Sequence, residues 1–345
     1  MRILTPLRPV ALTALCAAIG APPQPPQAAG DWTLIFAKPA VGKYEDISFP
    51  DAKHGWIASA SGSILMTSDG GATWTVQTAG LQRLRSLHFM DAKHGFAGSL
   101  AGILYETTDG GVTWNDITSR LPKAAKGFCG ITHIGKRVYV VGRYNLGAAD
   151  YFFSPDGGKT WEAQDLLPVA DGLVNVTFLN DKVGFIGGMG KSKTGGQMGT
   201  GPAIILKTTD GGKSWHTVFE HDGGRGYAWK LFPIDKKLIY AGLQSQDGVY
   251  RIAKTTDGGD HWDTLTVATG RPMGPAIQGI GFIDANTGWV GGFFVGMYAT
   301  TDGGKTWSFV QQPDGVINRF EKVGNSLFTA STRGVLRYDA HHVTH

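Results

Sequence analysis

One eight-residue pattern recurs six times along the 345-residue chain, and such self-similarity means a fold assembled from repeated supersecondary units. The first copy is Thr67-Ser-Asp-Gly-Gly-Ala-Thr-Trp74, and the last is Thr300-Thr-Asp-Gly-Gly-Lys-Thr-Trp307. Their aspartates are Asp69, Asp109, Asp156, Asp210, Asp257 and Asp302, at spacings of 40, 47, 54, 47 and 45 residues. Each copy reads as a hairpin turn, because alternating stretches such as Ser63–Thr67 and Trp74–Thr78 flank it. The aspartate accepts hydrogen bonds from turn N–H groups, and the glycines permit positive φ. The Trp leaves the turn as an apolar anchor. Six carboxylates at equivalent turn positions are therefore fold elements rather than six active sites.

A second turn lies between the copies. Asp51-Ala-Lys-His-Gly55 returns as Asp91-Ala-Lys-His-Gly95 and as Asp284-Ala-Asn-Thr-Gly288, with a looser version at Asn180–Gly184. The unit is then four strands in about 45 residues, which is the size of a propeller blade. The six copies end six blades. Beyond Trp307 the chain supplies three more strands, at Asn318–Val323, Ser326–Ser331 and Val335–Tyr338. The missing fourth strand is Asp31–Ile35, where Trp32 takes the part of Trp74. The expected fold is all-β: one seven-bladed β-propeller of four-stranded antiparallel blades over residues 29–345, its ring closed by the N-terminal strand.

Composition agrees. Glycine (51 residues) has about twice its usual share, and charged residues make up only 17%. That excludes coiled coils and helix bundles, while ten Trp and seventeen Phe exclude disorder. A formal charge of +4 is too small for a nucleic-acid binder.

Residues 1–28 read as a signal peptide. Arg2 and Arg8 precede the apolar stretch Val10–Gly20, which is too short to span a bilayer, and cleavage is expected near Ala28. Leu15 makes Cys16 a poor lipidation site. The mature protein would be periplasmic or secreted, with Cys129 as its one cysteine and no intramolecular disulfide to form.

The repeated Ser/Thr-x-Asp-Gly-Gly-x-Thr-Trp motif resembles the Asp-box, or bacterial neuraminidase repeat. Over residues 31–340 the chain is similar to the photosystem II stability/assembly factor family, carried by His54-Gly-Trp56 and Ile64-Leu-Met-Thr-Ser-Asp-Gly-Gly-Ala-Thr-Trp74. That resemblance implies a non-catalytic, exported scaffold that assists a protein partner, such as a membrane-protein precursor. Sialidases and xyloglucanases also carry the box, so an exported glycoside hydrolase is the alternative. Such enzymes need a carboxyl pair, or a Tyr nucleophile with a Glu partner. The mature chain has five Glu (Glu45, Glu106, Glu162, Glu220 and Glu321), none with an evident Tyr partner. Asp171, Asp222 and Asp314 are loop aspartates available for an acid/base pair at one mouth, though each reads more simply as a solvated loop charge. No cofactor or metal is expected: Gly187–Gly201 lacks P-loop spacing, and His54 and His94 belong to turns on different blades.

In a blade, the loops between strands two and three share a face with the connections to the next blade, and the boxes lie on the other. The box-free face would carry Arg83, Lys123, Lys126, Arg143, Lys191, Lys193, Arg225 and Arg271 against Asp150, Asp171, Asp222, Asp247 and Asp314. Tyr144, Tyr227 and Trp229 add aromatic area. Arginine beside Tyr or Trp is the composition of interface hot spots. The candidate binding residues are Arg83, Arg143, Arg225, Tyr227 and Arg271. The expected partner is an acidic protein segment, bound by a monomer with no membrane span.

Overall fold

The computed structural model describes residues 32–37, 42–142, 149–193, 200–270, 276–293, 295–310, 316–332 and 334–340. The described strands form seven four-stranded antiparallel sheets, the blades of one propeller. Blade 1 comprises Tyr44–Ser48, Gly55–Ser59, Ile64–Thr67 and Thr75–Thr78, from the axis outwards. The inner strands of blades 2 to 7 are Leu84–Phe89, Gly130–Ile134, Ala170–Phe178, Ala228–Pro233, Ala276–Phe282 and Ile317–Val323. Each inner strand contacts its neighbours, and the last contacts the first, so the ring is closed. No helix among the described residues is long and apolar enough to cross a membrane.

The closing strand is Thr33–Ala37, paired antiparallel with Gly334–Asp339 as the outermost strand of blade 7. It begins two residues later than expected. Trp32 anchors it, with ring centroids 5.4 Å from Trp289 and 5.8 Å from both Phe320 and Tyr338.

The boxes close on themselves. Asp69 Oδ1 accepts from the Thr67 hydroxyl (2.7 Å) and the Thr73 N–H (2.9 Å), and Oδ2 accepts from the Thr73 hydroxyl (2.6 Å). Thr67 Oγ1 in turn accepts the Gly71 N–H at 2.9 Å. The same pattern holds at Asp109, Asp156, Asp210 and Asp302. At Asp257 the Nδ1 of His261 replaces the hydroxyl, at 2.7 Å. These bonds hold the carboxyls of Asp69 and Asp109 down at about 2, through the Thr73 and Thr113 hydroxyls first and their backbone N–H groups second. Asp156 is also at about 2, here through the Thr160 N–H and then its hydroxyl.

The second glycine has two reasons to be glycine. Gly71 has φ 87°, and a Cβ there would lie 2.8 Å from the ring of Phe328 in the preceding blade. The equivalent Gly158 and Gly259 approach Phe96 and Phe185 in the same way. These aromatics belong to the contacts between blades. Trp56 stacks on Phe89 at 3.6 Å, Tyr139 on Phe178 at 3.8 Å and Tyr240 on Phe282 at 3.9 Å. The box residues Trp114, Trp215 and Trp307 meet Phe89, Phe178 and Phe282 edge-on. At these three joints the phenylalanine takes a flat ring from the preceding blade and an edge-on Trp from its own, a geometry that suits the ring quadrupoles.

The second turn also caps itself. Asp51 Oδ1 accepts the N–H groups of Lys53 (2.7 Å) and His54 (2.8 Å), and the Gly70 N–H of the box donates to Lys53 O at 2.8 Å. The two turn types therefore share one face.

Candidate functional site

Six inner strands carry a bulge at nearly the same height, and it governs what faces the axis. In blade 1 the register shifts between Tyr44 and Asp46, and in blade 2 between Leu84 and Ser86. An extra residue at a bulge turns two consecutive side chains away from strict alternation. Glu45 and Asp46, Arg85 and Ser86, Trp229 and Lys230, and Asn318 and Arg319 occupy these positions. A buried polar ring results. Arg85 Nη1 reaches Glu45 Oε2 at 2.5 Å, and Lys43 Nζ lies 3.3 Å from the same oxygen. Asn318 Nδ2 donates to Tyr44 O at 2.8 Å, joining blade 7 to blade 1. Asp46 Oδ2 accepts the Leu87 N–H (3.1 Å), and Asn175 Oδ1 accepts the Leu231 N–H (3.0 Å). Side chains of one inner strand thus satisfy backbone donors of the next. Nearer the box side, His88 Nε2 and His133 Nδ1 share a hydrogen bond of 2.7 Å. Burial pushes both imidazoles down, and for His88 the neighbouring His133 and Arg319 add to it.

The box-free mouth lies above this ring. Its floor is apolar: Cys129, Val174, Met189, Tyr227, Trp229 and Ala276 form one cluster. Tyr227 and Trp229 meet at 5.0 Å, Trp229 Nε1 donates to Gln244 Oε1 at 3.1 Å, and the Arg85 guanidinium stands 5.7 Å from the Trp229 ring. Around the mouth, Arg83, Lys126 and Arg225 are exposed. Lys123 is bound to Asp150 and Lys191 to Asp171, both at 2.6 Å, and Lys193 to Glu220. Asp247 is bound to Arg251 at 2.7 Å. The described carboxylates of this face are therefore mostly occupied by cations of the same face.

Two sequence expectations change here. Tyr227, expected to add aromatic area to this face, is only 3% exposed, its ring 5.0 Å from that of Trp229. Lys123, Lys191 and Lys193 do not stand as unpaired positive charge. Arg143, Tyr144, Arg271 and Asp314 lie outside the described residues. For an acid/base pair, Asp171 is buried in its ion pair with Lys191, and Asp222 is exposed. Glu106 is held by His94 (2.9 Å) and Arg120 (2.7 Å), and Glu162 lies exposed on an outer strand. The His54 ring is bonded to Asp51 within its turn, and the His94 ring to Glu106 on the strand Leu104–Thr107 of the same blade.

The ring of Arg85, Lys230, Asn318 and half-buried Arg319 was not among the expected site residues, and Glu45 was weighed only as a glycosidase carboxyl. The ring's signal is nonetheless written in the inner strands as apolar, any, polar, apolar: Tyr44-Glu-Asp-Ile47, Leu84-Arg-Ser-Leu87, Leu173-Val-Asn-Val176 and Ile317-Asn-Arg-Phe320.

No family model matches the chain, and no curated protein matches it. Solved structures do. A structure of YCF48 bound to a D1 peptide superposes with a TM-score of 0.68 at 19% identity, covering 92% of this chain and 97% of that one. YCF48 from Cyanidioschyzon merolae gives 0.66 at 19% identity, covering 89% and 98%. A GH74 xyloglucanase from Xanthomonas campestris gives 0.61 at 14% identity, covering 84% of this chain and 51% of that one. At these identities the likeness establishes the fold: the chain shares its seven-bladed propeller architecture with a peptide-bound protein and with a glycosidase.

Proposed function

We propose that the protein is an exported, non-catalytic binding scaffold whose box-free mouth receives an acidic segment of a protein partner. The observation that carries this reading is the mouth's chemistry: exposed Arg83, Lys126 and Arg225 above a floor where Arg85 lies over Trp229. The carboxylates that would repel such a partner, Asp150, Asp171 and Asp247, are tied up in ion pairs. Arg143 and Arg271 add to the same charge by their place in the chain. The likeness to YCF48 bound to a D1 peptide supports a propeller that takes up a peptide segment, and assistance to assembly of a membrane-protein precursor is the biological form of the proposal. Export rests on residues 1–28. Affinity capture from the native host with mass spectrometry tests it: a recurrent precursor with an acidic segment should be retained by the wild type and lost on joint Arg143→Glu, Arg225→Glu and Arg271→Glu substitution.

The likeness to GH74 enzymes favours one second reading, an exported glycosidase. Incubation of the pure protein with xyloglucan decides it, and release of oligosaccharide would replace the scaffold reading.

A further inference from the structure

Lys230 is a buried cation, 5% exposed, that makes no side-chain hydrogen bond among the described residues. Burial pushes its ammonium down to about 8, although Asp46 opposes that shift. Asp46 is already committed elsewhere. It accepts the N–H groups of Leu87 at 3.1 Å and Ile47 at 3.2 Å, and lies 3.4 Å from Arg319 Nε. A desolvated ammonium with no acceptor is costly, so the space beside it bears on its purpose.

That space is a cavity of about 230 Å³ at the box-side end of the axis, opposite the proposed partner mouth. Lys230, Arg319 and Lys322 line it, against the single carboxylate of Glu321. Glu321 is itself engaged, 3.4 Å from Arg319 Nη2, and burial pushes its carboxyl up. Lys322 Nζ donates to Ile283 O at 2.6 Å. The remaining walls are largely apolar, from Phe232, Ile280 and Phe320. A half-open pocket with Lys230, Arg319 and Lys322 beside apolar walls matches a small amphipathic anion. A cavity of this size admits an acid of a few carbons, not a folded chain.

We propose that this cavity is a binding site for a small organic carboxylate. Lys230 and Arg319 hold the carboxylate, and Phe232, Ile280 and Phe320 pack on its short apolar body. The site is separate from the box-free mouth, so either reading stands or falls alone.

Calorimetric titration and thermal melting of the full chain with sodium butyrate, n-butanol and inorganic phosphate test the proposal. Butyrate should bind and raise the melting temperature, whereas butanol, which lacks the charge, should do neither. Lys230→Met should weaken butyrate binding by about tenfold or more without lowering the melting temperature of the unliganded protein, since it removes a buried charge that makes no hydrogen bond. Lys230→Gln, which keeps a polar side chain, should give the same loss if the methionine variant folds poorly. Arg83→Glu, at the other mouth, should leave butyrate affinity unchanged. Absence of butyrate binding, or binding that survives both Lys230 substitutions, would overturn the site. Phosphate binding as tightly as butyrate would overturn the role given to the apolar walls.

Discussion

Arg85 illustrates how one side chain serves two layers of the molecule. Its guanidinium neutralises buried Glu45 and also covers the face of Trp229. Removing one partner of a buried pair leaves the other charge stranded, which costs far more than the pair contributes. Arg85→Ala should therefore destabilise the protein by about 3–5 kcal/mol in denaturant titration. Replacing Glu45 by Gln in the same chain should recover a large part of that loss. A cost no greater than that of an exposed Arg→Ala change would show that the pair is solvated. Glycine offers a second contrast. Gly71 and Gly80 have nearly the same φ, 87° and 85°, but a Cβ at Gly71 meets Phe328 and one at Gly80 meets nothing within 4 Å. Gly80→Ala should cost about 1 kcal/mol, the penalty of a left-handed backbone alone. Gly71→Ala should cost clearly more, and equal losses would remove close approach as a reason for the second box glycine.

The box turn is the element whose chemistry reaches furthest into bulk behaviour. Asp69, Asp109 and Asp156 are held at about 2 in the folded protein, below the ordinary aspartate value of about 3.9 in the unfolded chain. Between those values the unfolded chain binds more protons, so folding weakens as pH falls. The boxes' contribution is complete above about pH 4 and is lost as pH drops through about 2. Calorimetric melts across that range should show a falling transition temperature. Joint Asp69→Asn, Asp109→Asn and Asp156→Asn substitution should lower stability at neutral pH and flatten the acid decline. An unchanged acid slope in that variant would place the loss elsewhere. These turns were legible in the sequence because their chemistry is local: donors, acceptor and glycines lie within one run of seven residues, Thr67 to Thr73 in the first copy. The second turn at Asp235 was not. It makes the same bonds, with Oδ1 accepting from Lys237 at 2.7 Å and Leu238 at 2.8 Å, but it lacks the terminal glycine that marks the other copies. The inner strands were harder still. A bulge breaks alternation, and partners such as Glu45 and Arg85, or Asn175 and Leu231, belong to different blades. Glu45 and Arg85 lie one 40-residue repeat apart, but the repeat does not say that their side chains meet across the joint. Tyr227 shows the same limit: residue type suggested an exposed aromatic, and packing on Trp229 decided otherwise.

At the scale of the whole molecule, the ring depends on a strand from its other end. Thr33–Ala37 covers the edge of blade 7, and Trp32 fills the space among Trp289, Phe320 and Tyr338. A chain beginning at Lys38 loses both and exposes an unpaired strand edge, which invites association. It should melt at a lower temperature or sediment as oligomers. Melting and sedimentation equal to those of the longer chain would contradict closure by this strand.

Closure also fixes the two mouths as distinct surfaces, and the functional account rests on the box-free one. A fluorescently labelled acidic peptide, titrated against the purified protein and followed by anisotropy, tests that account most directly. Binding should weaken as salt rises, because exposed charges are screened over about 10 Å at 0.1 M ionic strength. Joint Arg143→Glu, Arg225→Glu and Arg271→Glu substitution should abolish binding while leaving the melting temperature nearly unchanged. Binding that survives this charge reversal would contradict the account and move the partner surface away from the mouth.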